Sequence, residues 1–70
     1  MTNYTELYES TSKTMQTLQA EWAKMIEIRD TLCRSNDTLG FAQAHIACNQ
    51  IFKAIEQLAE VQHEIAKGID

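Results

Sequence analysis

The sequence predicts an all-α protein: an antiparallel, coiled-coil-like two-helix hairpin, completed by a partner or by pairing of two copies. Three observations lead there. Two lines of positions mirror each other about the middle of the chain, 32, 29, 25, 22, 18, 15, 11, 8, 4 running back and 41, 44, 48, 51, 55, 58, 62, 65, 69 running forward. Every matched pair sums to 73 and each line alternates steps of three and four, as the a and d positions of two helices folded onto each other do. There is no proline and only Gly40 and Gly68, so neither long helix is interrupted by a strong breaker. Between the lines lies Ser35-Asn36-Asp37-Thr38, whose short polar side chains bond to nearby backbone and compete with the helix.

The first helix is expected over about residues 4–34. Asn3 can cap it while Glu6 reaches back, as in a capping box. At 1.5 Å per residue it makes a rod of roughly 45 Å. Residues 35–38 form the turn, and the second helix covers about 39–67, with Gly68 a natural residue at its C-terminal cap. Gly40 lies in its first turn, where it predicts a weak, irregular start. The facing layers are Leu32/Phe41, Arg29/Ala44, Met25/Cys48, Trp22/Ile51, Leu18/Ile55, Met15/Leu58, Thr11/Gln62, Tyr8/Ile65 and Tyr4/Ile69. Fifteen of these eighteen residues are apolar, and two of the three exceptions, Thr11 and Gln62, face each other as a register-fixing polar layer. Arg29, the third, has room to lay its stem over small Ala44 and carry its head out to an acid.

Composition narrows the function. Seventy residues make one small domain, and a core of this size supplies only about 3–5 kcal/mol, so it calls for a staple or a partner. With a formal charge of -4 and a pI near 5.0, and six bases scattered among ten acids, there is no basic stripe to meet nucleic acid. No apolar run approaches the ~20 residues of a membrane span, and the first residues lack the basic start and apolar stretch of a signal peptide. A soluble, cytoplasmic protein is expected. Cys33 and Cys48 sum to 81, about eight residues out of register, so reduced thiols are expected rather than a bridge. Cys33, His45 and Cys48, with Asp37 as the only further ligand at hand, match no strong zinc spacing, and no metal or other cofactor is expected. A glycine-rich phosphate loop and paired carboxylates are both missing, and a two-helix hairpin forms no cleft for a Cys–His nucleophile. The expectation is a protein that is not an enzyme.

What remains is a flank. The e positions beside the seam include Thr5, Ser12, Gln19, Ile26 and Cys33 in the first helix and His45, Phe52, Ala59 and Ala66 in the second. The g positions on the other side include Leu7, Thr14, Glu21, Ile28, Ala47, Ala54, Val61 and Gly68. Outer positions are mostly charged, with Ile46 the exception. Phe52 cannot enter the seam if Ile51 and Ile55 do, and an aromatic outside a two-helix seam normally packs on something else. Ile26, Cys33, His45, Phe52 and Ala59 are therefore the expected partner-binding residues, with Ile26 and Phe52 side by side.

The layout, a Gln/Glu/Ala-rich hairpin with a polar turn near its middle, resembles the small E-type co-chaperones of bacterial type III secretion systems. The local likeness runs from Leu32 to Gln57, about two-fifths of the chain. It is strongest in Ala54-Ile55-Glu56-Gln57, similar to the second helix of the variant in intracellular-pathogen systems. The resemblance implies a bacterial cytoplasmic protein that, with a TPR-like helical chaperone, keeps the needle subunit soluble before export, and it carries over no catalytic residues. Needle subunits are also short hairpins, but with a proline-containing turn that this chain lacks. Two other functions suit the residues: a homodimeric four-helix bundle of the plasmid RNA-regulator type, against which the sparse bases count, and a small inhibitor of a host protein.

Overall fold

The computed structural model describes residues 3–69. It is a helical hairpin of α1 (Tyr4–Arg34) and α2 (Thr38–Lys67), with no strand among the described residues. The hairpin is a rod of 53 × 15 × 14 Å, and its radius of gyration of 16.0 Å far exceeds the ~11 Å of a compact 70-residue chain.

Each end of α1 is set by local chemistry. Asn3 is extended, with φ -92° and ψ 95°, and its Oδ1 accepts the Glu6 N–H at 3.0 Å. Glu6 does not return a bond to Asn3, so the cap is one-sided. At the other end the chain turns through a Schellman motif. Asn36 takes φ 60°, the left-handed region that asparagine tolerates better than most residues. Its N–H donates to Cys33 O at 3.1 Å, and the Asp37 N–H donates to Leu32 O at 3.0 Å. Asp37 then caps α2, its Oδ1 accepting the Gly40 N–H at 2.9 Å.

The second helix therefore starts at Thr38, one residue earlier than 39, and its start is regular. Gly40 has a steric reason: a Cβ there would lie 2.9 Å from the capping carboxylate. Gly68 is the C-cap of α2, yet its φ of -88° is right-handed and needs no glycine. The Tyr4 ring packs close over it, 3.1 Å from where a Cβ would stand.

The mirror lines form the seam. From Thr11 to Leu32 and from Phe41 to Ile65, all of their positions are buried or half-buried. Only Ala44, Cys48 and Ile65 are buried among the described residues, and α1 contributes none. At the open end, away from the turn, Tyr4, Tyr8 and Ile69 stay exposed despite their seam positions. Arg29 sits half-buried opposite buried Ala44, its Nε 3.6 Å from Asp30 Oδ1 and its Nη1 donating to His45 Nδ1 at 3.5 Å.

The polar layer is wider than a pair. Gln62 Nε2 donates to Ser12 Oγ at 2.7 Å and Thr11 Oγ1 at 3.2 Å, and lies 3.4 Å from the Tyr8 carbonyl. Thr11 Oγ1 in turn donates to the Tyr8 carbonyl at 2.9 Å. Only one pairing of the helices satisfies this set, so a slip of α2 by a turn would strand a part-buried amide.

Two outcomes follow from the turn and the layer. Asn36→Val forces a β-branched residue to φ 60° and should lower stability by about 1–2 kcal/mol, read from the urea midpoint. Gln62→Ala should cost about 1 kcal/mol, whereas Thr11→Val with Gln62→Leu, which makes the layer apolar, should equal or exceed the parent in the same titration.

Candidate interaction surfaces

An antiparallel pair of helices has two flanks, e facing e and g facing g, and here they differ in chemistry. On the e flank the side chains reach across the hairpin. Phe52 meets Trp22 with ring centroids 5.8 Å apart and planes tilted by 37°. His45 takes the Arg29 bond and stacks on Phe41 at 5.9 Å. Ser12 takes the shortest Gln62 bond. In each bridge an e residue of one helix lies over an a residue of the other, which widens the contact beyond the a/d seam.

Of the five expected partner-binding residues, Ile26 is half-buried and Cys33, His45, Phe52 and Ala59 are exposed. Phe52 lies against the Trp22 ring of the other helix. Contact with Trp22 still leaves Phe52 46% exposed, so one side of its ring is open. His45 is more fully engaged, between Arg29 and Phe41. Cys33 lines a hollow at the turn with Leu32, Asn36, Asp37, Thr38 and Phe41, and that hollow does not include His45.

The g flank is unlike this. Along α2 its residues are small, with Gly40, Ala47 and Ala54 half-buried, until Val61 near the open end. Val61 is exposed, and so is Leu7 on the same flank. Val61 lines an open groove with Tyr4, Ile65, Glu60 and Glu64. The sequence held the signal for this patch, since Leu7 and Val61 are both large g residues, but the aromatic Phe52 drew the weight to the other side. Ile46 and Leu39 are exposed singly and need no such account.

Other chemistry finds little footing. Among the described residues no group of three or more His, Cys, Asp or Glu side chains is placed to hold a metal ion. Cys33 and Cys48 are both free, the first exposed and the second 2% exposed in the seam. The ion pairs Lys24–Glu21 and Lys67–Glu64 join solvated neighbours one turn apart and contribute little. No helix among the described residues is long and apolar enough to cross a membrane. No family model matches this chain, and no curated protein or solved structure does.

The two cysteines give a direct test of the seam. A thiol-specific reagent should modify Cys33 in the native chain at the rate of a free thiol. Cys48 should react only through opening; with roughly 3 kcal/mol to open the hairpin, that is slower by a factor on the order of 100. Mass spectrometry of the partly modified chain separates the two sites.

Proposed function

We propose that this chain is a non-enzymatic interaction module whose hairpin lies against a helical partner, and that it serves as a type III secretion co-chaperone. With a TPR-like chaperone it would keep the needle subunit soluble in the bacterial cytoplasm before export. The observation that carries the module reading is the thin core. Only Ala44, Cys48 and Ile65 are buried among the described residues, too few for two helices of about 30 residues to be comfortable alone. The exposed area is 5362 Å², against about 4,500 Å² for an ordinary folded monomer of this mass. That excess, roughly 900 Å², is close to the ~800 Å² one partner gives up in a standard interface.

The co-chaperone role rests on the hairpin layout and on the Leu32–Gln57 likeness. Its docking face is the e flank, with Phe52 as the aromatic anchor and Ile26, Cys33, His45 and Ala59 around it. The same excess of surface also suits a second copy in a four-helix bundle.

Phe52→Asp should weaken binding to a co-expressed helical-repeat chaperone at least tenfold while leaving helix content in circular dichroism largely intact, because the ring is already half open to water. Unchanged binding by this variant would remove the e flank from the proposal. Light scattering over about 200 to about 2 µM separates the two occupants. A stable dimer throughout favours the four-helix bundle, and a monomer or weak self-associate favours a different protein.

A further inference from the structure

Five of the large apolar residues that stay exposed, Tyr4, Leu7, Tyr8, Val61 and Ile69, lie in the outermost turns at the open end. Tyr8 and Ile69 belong to the seam and are only partly exposed. Leu7 and Val61 are different, since they stand on the g flank and face outward. Val61 lines a groove with Tyr4 and Ile65, and Glu60 and Glu64 stand on its rim. The Tyr4 ring lies over Gly68 and forms the aromatic wall of the groove.

The charge of the chain is gathered at the same end. Residues 1–17 and 56–70 hold six acids against Lys13 and Lys67, which accounts for the whole formal charge of -4. Residues 18–55 hold four acids and four bases and are neutral. Glu64 has Lys67 at 3.0 Å, but both side chains are well exposed, so the pair is weak and exchangeable.

We propose that this acid-rimmed apolar groove at the open end is a second docking surface, and that its occupant is a basic amphipathic helix: apolar residues one turn apart, flanked by Lys or Arg. Charge selects this occupant. A second copy docking here by two-fold symmetry would set the rim of Glu60 and Glu64 against the same rim, like charge on like charge. A helix with basic flanks meets the rim with the opposite sign while its apolar face covers Val61 and Tyr4. Further along the flank Ala54 and Ala47 leave the backbone of α2 low, so the incoming helix can lie close along the rod. The proposal uses the flank opposite Phe52 and stands independently of the co-chaperone role.

The test uses the isotope-labelled full chain and two synthetic helices that share one Leu face, one flanked by Lys and the other by Glu. The expected result is amide shifts centred on Tyr4, Glu60, Val61, Glu64 and Ile65 with the Lys-flanked helix. Binding should be roughly tenfold or more weaker for the Glu-flanked one, and should fall as salt rises. Val61→Asp, at an exposed position that leaves the seam untouched, should abolish the shifts. Glu60→Gln with Glu64→Gln should remove most of the preference for Lys, and Phe52→Asp should change nothing. Equal binding of the two helices, shifts centred on Phe52, or no shifts with either helix would each overturn the proposal. So would a dimer in light scattering that Val61→Asp dissolves, since the groove would then hold a second copy.

Discussion

In a two-helix hairpin each side chain has one neighbouring helix to hide against, and the rest of this structure depends on that constraint. A residue at the middle of the seam is covered from across and from above and below along its own helix, but its two sides stay open. Small side chains can disappear under such cover, which is why Ala44 and Cys48 are buried. Trp22, Leu18 and Met15 are only half-buried although they occupy the same line. The hairpin compensates by recruiting its e flank. Phe52 laid on Trp22, His45 joined to Arg29 and Ser12 joined to Gln62 each add a contact that the a/d seam alone does not supply.

The direction of the chain is set more locally. Asn36 ends α1 and Asp37 starts α2, so two adjacent residues close one helix and open the next with no slack between them. A turn this short leaves the helices no choice but to run antiparallel side by side. It also fixes their stagger at one end, while the Thr11–Ser12–Gln62 layer fixes it near the other. Register is therefore pinned twice, once at each end of the rod.

The seam was legible in the sequence because a 3-4 alternation over nine layers has a single centre, and that centre placed the turn to within a residue. The turn's division of labour was harder. Asn, Asp, Ser and Thr all read as turn formers, and only the backbone bonds tell that Asn36 is the left-handed residue and Asp37 the cap. Gly68 caps the second helix as its position predicted. Gly40 was weighed by backbone freedom alone, but it makes room for the Asp37 carboxylate, a neighbour that no helical period reveals. Period also assigns a residue to a flank without saying how far its side chain reaches. The exposure of Phe52 was therefore foreseeable, and its contact with Trp22 was not.

The unlike flanks limit what any one partner can do. A symmetric dimer presents the same patch from both copies, so it covers a single flank of each hairpin. If two copies met across Phe52, the groove of Tyr4, Val61 and Ile65 would remain open, with its acids on the rim. If they met across the groove, Phe52 would stay bare and Glu60 and Glu64 would be forced together. Homodimerisation through either flank thus leaves apolar surface for a different protein. A symmetric pairing therefore covers either the aromatic centre of one flank or the acid-rimmed groove of the other, and never both.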